Sequence, residues 1–320
     1  PAAPAAGSEP ALAQTWAGSA WPWQRQNTFA QLGRRQDTLL SGVRNATTFE
    51  FQVRRDRLVR DAELDLSFTP SPSLLPTLSH LRVYLNDAMM GVVPISNDQL
   101  GRPVQAKLPL DARLIADFNQ VRLEFVGHYT DICEEPTHSS LWVNLSSNST
   151  LRLGGQPLAM QDDLANFPLP FFDPRDTARL DLPVVFAAAP SLGQQRAAAV
   201  MASYFGSLSG WWRQARFPVT FGALPDSGHA VVLAVNGRFP PVIANHAPVK
   251  GPVIELMALP EDPQRKLLLV LGRNDEDLQK AVAAMAAGNV LFRGRQVSID
   301  EIKPLAPRKP YDAPNWVRTD

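Results

Sequence analysis

From about residue 45 to residue 160 apolar and polar residues alternate one by one, and this period of two is what most restricts the fold. In "DAELDLSF", Ala62, Leu64, Leu66 and Phe68 share one face while Asp61, Glu63, Asp65 and Ser67 share the other. The pattern returns in "HLRVYLND" with Leu81, Val83 and Leu85, in "QVRLEF" with Val121, Leu123 and Phe125, and in "LWVNL" with Leu141, Val143 and Leu145. Side chains that alternate in this way need one dry and one wet face, which predicts half-buried strands. "LNDAMMGVV" sets Asn-Asp and Gly between two such runs and predicts a hairpin. Only "DARLIADFN" reads as a short helical turn. Short alternating strands joined by Pro, Asn and Asp turns favour an all-β jelly-roll sandwich.

The rhythm then changes. "LPVVFAAAP", "HAVVLAVN", "PVIELMAL" and "KLLLVLG" are continuous apolar runs, as expected of strands covered on both faces. Between them, "GQQRAAAVMASYFGSLSGWW" places Ala197, Val200, Met201, Tyr204, Phe205 and Leu208 on one helical stripe. "NDEDLQKAVAAMAAGN" predicts a second helix, capped by Asn274, with Asp275, Glu276 and Asp277 at its positive end and Gly288 as its stop. Strands alternating with helices imply a mostly parallel sheet with helices on its faces, a flavodoxin-like α/β domain in outline. The expected organisation is a Pro/Ala-rich disordered leader over 1–40, a sandwich over 41–165 and a linker over 166–180. The α/β domain follows over 181–303, then a Pro-rich linker over 304–320.

The charge balance narrows the function. Lys plus Arg number 31 and Asp plus Glu number 31, so there is no basic surplus to neutralise phosphates, which argues against nucleic acid as the partner. A single cysteine cannot form an internal disulfide. The longest apolar runs fall far short of the roughly 18 residues a membrane span needs. "PAAPAAGSEPALA" has neither the basic start nor the apolar region of an intact signal peptide.

Chemistry-bearing residues concentrate in "HYTDICEEPTHSSLW", which holds two histidines, three carboxylates, the cysteine and a tryptophan. His128, Cys133 and His138 have the spacing H-x4-C-x4-H, with Asp131, Glu134 and Glu135 as possible oxygen donors. A structural zinc site brings a second close Cys or His pair, and none is present, so no metal is expected. Three neighbouring acids would raise the Cys133 thiol and oppose its use as a nucleophile. Adjacent Glu134 and Glu135 point to opposite faces of an extended chain and are not a glycosidase pair with each other. "AAAPSLGQQR" lacks a phosphate-loop motif, and Ser191 and Gly193 there are explained by helix capping. "FGSLSGWW" puts Ser207 and Ser209 near a helix end, away from a nucleophile elbow. No catalytic residue and no cofactor is expected. Trp142 has the opposite parity to Leu141, Val143 and Leu145 and points outward, either as a plug under neighbouring protein or as a stacking platform for a sugar. Tyr129 and Asp131 are candidate neighbours in a carbohydrate site, although Tyr129 shares the parity of the core unless Gly127 bulges the strand.

"TPSPSLLP", "LRVYLND", "DFNQVRLEFVGHYTDICEEP", "LWVNLS", "FPLPFFDP", "GNVLFRG" and "PRKPYDAPNWVRTD" together resemble the regulatory subunit of bacterial cellulose synthase, an older name for which is cyclic di-GMP-binding protein. The match runs from about residue 40 to the end. The resemblance implies alternating jelly-roll carbohydrate-binding and flavodoxin-like domains, of which this chain is the first round. It implies a periplasmic location with a C-terminal membrane anchor outside this chain, and a catalytic synthase subunit as partner. It also implies contact with the nascent glucan and self-association into oligomers. Basic runs at Arg34 and Arg35 and from Arg54 to Asp61 read as solvated surface, so cyclic di-GMP is expected to act through the catalytic subunit. Two rivals stand beside this reading: a metal-dependent enzyme using the loop from His128 to Trp142, and a pure protein scaffold.

Overall fold

The computed structural model describes residues 22–210, 214–288 and 292–302, which divide into two compact units between Leu158 and Ala159. The first unit holds strands β1 (Trp23–Thr28), β2 (Thr38–Ser41), β3 (Arg44–Gln52), β4 (Arg57–Pro70) and β5 (His80–Leu85). It continues with β6 (Ala88–Pro94), β7 (Val104–Leu110), β8 (Phe118–Val126), β9 (Trp142–Leu145) and β10 (Thr150–Pro157). β3, β8, β5 and β6 form one antiparallel sheet in that order. β1, β10, β4, β9 and β2 form the other, with β7 on the second edge of β4.

The alternation read from the sequence is the alternation observed. Leu64, Leu66 and Phe68 from one sheet and Leu81, Val83, Val121, Leu123 and Phe125 from the other are all buried in one shared core. The β5–β6 hairpin turns through Asn86 and Asp87, both at positive φ (49° and 65°), the backbone that a two-residue turn between right-twisted strands requires. The expected helical turn is a short 3-10 helix over Ala112–Leu114, capped by Asp111.

The leader expected through residue 40 is shorter than that. β1 and β2 already belong to the sheet, β1 pairing with β10 and β2 with β9. "WQRQNT" carries one apolar side chain, Trp23, so β1 gives no alternation signal although its backbone completes an edge. Residues 1–21 and 303–320 lie outside the described residues, and so does the tail expected to be a linker.

The second unit contains β11 (Leu180–Asp181), β12 (Val184–Phe186), α1 (Leu192–Ser209), β13 (Ala215–Arg216), β14 (Val219–Phe221) and β15 (Ala230–Val235). Then come β16 (Val253–Ala258), β17 (Lys266–Gly272), α2 (Asp275–Ala287) and β18 (Gln296–Ser298). The main sheet has the order β14-β12-β15-β17-β16-β18, parallel through β17, with β16 antiparallel to both β17 and β18. Ser191 and Gln194 form a reciprocal capping box at α1, and Asn274 caps α2, which stops at Gly288 in the left-handed region.

Three expectations need correction here. Helices were expected on both faces of the sheet. Instead α1 and α2 supply Ala197, Met201, Phe205, Leu278, Val282 and Met285 to the same core. The other face is closed by loop residues such as Ile243, Val249 and Leu259, because the crossovers around β15 and β16 carry no long helix. The linker expected over 166–180 is not a linker, since Phe171 and Phe172 are buried in the α-side core. The α1 stripe is narrower than its apolar spacing suggested: Val200 and Leu208 are 39% and 38% exposed, whereas Ala197, Met201 and Phe205 are fully buried.

Phe205→Ala should therefore lower the stability of the second unit by about 3–5 kcal/mol, the usual cost of emptying a buried aromatic position. Urea unfolding followed by a probe in that unit checks this, and Val200→Ala should change it by less than about 0.5 kcal/mol.

Candidate functional site

The loop from Gly127 to Leu141 joins β8 to β9. Its entry is tight: Phe125, fully buried, lies so close to Gly127 that a Cβ there would stand 2.3 Å from the ring. Beyond it, Glu134 folds back on the strand end. One carboxylate oxygen lies 2.7 Å from His128 Nδ1, and the other accepts the Tyr129 N–H at 2.8 Å. The Glu135 N–H donates to Tyr129 Oη at 3.0 Å, and the Tyr129 ring stacks on His138 at 4.5 Å between centroids. His138 Nδ1 in turn meets Ser140 Oγ at 2.5 Å. The loop is tied to its neighbours through Pro136, whose carbonyl accepts the Val43 N–H, and through His128, whose carbonyl accepts that of Leu75.

These partners decide what the loop can do. Both histidines and Glu134 are spent on bracing the loop, and Glu135 accepts from Thr137 Oγ1 at 3.3 Å. Cys133 sits at its exposed tip with a positive φ of 50°. Among the described residues no group of three or more His, Cys, Asp and Glu is placed to hold a metal ion. Burial opposes ionisation of Glu134, but hydrogen bonds from the Tyr129 N–H and His128 outweigh it and hold the carboxyl below its ordinary range.

Of the proposed sugar-contact residues, Trp142 lies half-buried on the outward parity of β9, between buried Leu141 and Val143. Tyr129 packs against the sandwich core and the loop, and Asp131 is exposed. Among the described residues no ring contact or hydrogen bond joins the three.

Other features were not singled out from the sequence. On the wet face of the β3-β8-β5 sheet, Glu124 receives three arginines: Arg44 at 3.0 Å, Arg82 at 3.2 Å and Arg122 at 3.0 Å. Burial opposes the charge on Glu124, yet the arginines, Arg44 foremost, keep its carboxyl below the usual range. Arg122 also lies over the Tyr84 ring at 3.8 Å from its centroid. Phe118 projects from the same parity of β8 and is 65% exposed. Its signal was present in the sequence, for it stands out of phase with Val121, Leu123 and Phe125 as Trp142 does with its neighbours. The run from Arg54 to Asp61, read as solvated, is instead partly withdrawn from water: Asp56 is buried and bonded to Arg54 at 2.7 Å.

In the second unit a cleft of about 580 Å³ opens at the carboxyl ends of β15 and β17, lined by Ser191, Gln194, Asn236, Arg238, Arg273 and Asp275 among others. This is the crevice where layered α/β sheets hold phosphates. Here the Ser191 hydroxyl donates to Asp275 Oδ2 at 2.5 Å, so a carboxylate of the chain itself stands at the start of α1. Arg273 is engaged by Asp277 through two hydrogen bonds from its side chain, at 2.7 and 3.1 Å. The helices approach so closely that a Cβ on Gly193 would lie 2.5 Å from that of Asp275.

The fold defines the class: an antiparallel sandwich followed in the chain by a layered α/β unit. Family models divide the chain at nearly the same place. Residues 22–157 match "Cellulose synthase BcsB, first CBM domain" and residues 163–299 match "Cellulose synthase BcsB, first FD domain". The chain belongs to the BcsB family of cellulose synthase subunits. Proteins named cyclic di-GMP-binding protein from Salmonella typhimurium and Escherichia coli K12 are 51% and 50% identical to it over 294 residues. One of the same name from Xanthomonas axonopodis is 45% identical over 300 residues. Each alignment covers 92% of this chain and 38% of the relative, so the chain spans under two fifths of those proteins. Among solved structures, the C-terminal CBM6 of LamC from Zobellia galactanivorans covers 43% of this chain and 96% of its own, at 8% identity and a TM-score of 0.21, too low to carry an argument.

Two consequences can be measured. The bracing by Glu134 is fully present above its ordinary pKa of 4.5 and is lost as pH falls through the lowered folded value. The Tyr129 amide resonance should follow that titration, and Glu134→Gln should abolish its pH dependence in this range. Gly193→Ala should destabilise the second unit by about 1–3 kcal/mol through overpacking, and Asp275→Gly in the same chain should recover most of the loss, as read from paired urea unfolding curves.

Proposed function

We propose that this chain is part of a non-catalytic, periplasmic regulatory subunit of bacterial cellulose synthase, supporting the catalytic subunit and guiding the nascent β-1,4-glucan. The sandwich, in this reading a jelly-roll carbohydrate-binding domain, contacts the polymer. The layered unit, flavodoxin-like in the order β14-β12-β15 that begins its sheet, serves as spacer and protein interface, including self-association. Membrane anchorage comes from the C-terminal segment that the family resemblance implies; among the described residues no helix is long and apolar enough to cross a membrane.

The observation that carries the proposal is the loop from His128 to Trp142. His128 and Glu134 bond to each other, His138 to Ser140 and Glu135 to Thr137, so these groups brace the loop beside an aromatic on the outward parity of β9. Stacking of a sugar ring on such a surface, with hydroxyls bonded to polar neighbours such as Asp131 and Tyr129, is adhesion without chemistry. In the second unit Asp275 stands at the start of α1 and Asp277 engages Arg273, which supports assigning cyclic di-GMP to the catalytic subunit.

A conduit must release what it touches, so affinity should be near millimolar, about 4 kcal/mol. Titrating the chain with cello-oligosaccharides should change its tryptophan fluorescence, and Trp142→Ala should reduce that change. An unchanged signal in wild type removes the glucan contact. A full response in Trp142→Ala removes the stacking role of that residue alone.

A further inference from the structure

Beyond the glucan-contact reading, and independently of it, we infer that His80 is a proton sensor at the root of the loop from Gly127 to Leu141. As a neutral ring it holds Arg82 against the sheet; on taking up a proton it releases Arg82 and sets a new charge beside His128.

The state of the ring follows from its two partners. The Arg82 Nε–H points at His80 Nε2 across 3.1 Å, and a guanidinium nitrogen can only donate. Nε2 is therefore the bare, accepting nitrogen. His80 Nδ1 lies 3.1 Å from the Leu78 carbonyl oxygen, which can only accept, so the one proton of the ring sits there. Both partners select the same neutral tautomer. A second proton on the ring would set donor against donor and cation against cation.

Arg82 carries the effect onward. It also donates through Nη1 to Glu124 at 3.2 Å, so one guanidinium bridges the ring and the carboxylate that Arg44 and Arg122 bind as well. Deprived of the His80 acceptor, Arg82 keeps only a carboxylate that it shares with two other arginines.

The ring stands where the loop begins. His80 is in register with Val126, the last residue of β8, and with Pro94 of β6. Immediately before it, buried Ser79 clamps the first residues of the loop. Its hydroxyl accepts the His128 N–H at 3.0 Å and donates to the His128 carbonyl at 3.1 Å. The charged and titratable groups that act on His80 are Arg82 on its own strand, Glu124 from β8 and His128 from the loop. Behind these, Arg44 of β3 shares Glu124, and Glu134 meets His128. Neither β6 nor the segment Ser71–Ser79 brings a titratable side chain.

Burial, and after it the charge on Arg82, holds the imidazole below its ordinary range; the Leu78 bond and Glu124 act the other way and are outweighed. Such a histidine binds fewer protons folded than unfolded. The stability it lends is complete above the ordinary value of 6.5 and is lost as pH falls through the lowered folded one.

The test is an NMR titration of the full 320-residue chain from about pH 8 to about pH 5, the range in which histidine changes charge. It follows the imidazole nitrogens, the Arg82 Nε–H and the amides of Ser79 and His128. At the alkaline end His80 should carry its proton on Nδ1 alone. The Arg82 Nε–H and both amides should then move together with the His80 titration, at a midpoint below 6.5. His80→Gln keeps an acceptor for Arg82 but does not titrate, so those movements should vanish while the alkaline positions stay, which also shows that the variant is folded. Arg82→Gln should raise the His80 midpoint. A proton on Nε2 at the alkaline end, or an Arg82 Nε–H that ignores the His80 titration, overturns the inference. Movements of the two amides that persist in full in His80→Gln belong to His128 or Glu134 and overturn it as well.

Discussion

A strand of fourteen residues buried on one face must find hydrogen-bond partners along both of its edges, and β4 imposes that demand on the whole sandwich. One edge is taken by β10 and β9, laid end to end, and the other by β7. With both edges occupied, Leu64, Leu66 and Phe68 are held in the core and Glu63 and Asp65 face outward, where Arg152 from β10 bonds each of them at 3.0 Å. The second sheet packs its buried face into the same core as those three side chains. In the layered unit β17 plays a comparable part: all seven of its residues are buried, and the one charge among them, Lys266, is met by Asp162 at 2.6 Å.

What could be read from the sequence follows from which physical signals are local. Period-two alternation in β4, β5 and β8 and continuous apolar runs in β15 and β17 depend only on near neighbours, so those strands were legible. β1 was not, because an edge strand can be held by backbone bonds to β10 with little help from its side chains. Phe171 and Phe172 sat between prolines that suggested a linker, whereas burial depends on contacts far away in sequence. Val200 and Leu208 had helical spacing, but the width of a buried stripe is set by what lies opposite.

The site divides in the same way. The outward parity of Trp142 was visible in the pattern of its own strand, and so was that of Phe118, although only the first lay near enough to histidines and acids to attract notice. The closure of Glu134 on His128 and Tyr129, the three arginines on Glu124, and the meeting of Ser191 with Asp275 across 84 residues all depend on folding. Their common effect is to use charge internally. Groups that the sequence offered as candidate machinery serve here as fastenings of the loop and the strand ends.

One fastening has an architectural consequence. The layered unit is stitched shut where it begins: Asp163 accepts the Gly294 N–H at 2.7 Å, and the Leu164 N–H donates to the Gly294 carbonyl at 2.8 Å. The start of the unit is thereby held against the chain just ahead of β18, as a thread is tied back at a clasp. Such a tie lets two stretches far apart in sequence steady one another at a single corner of the unit.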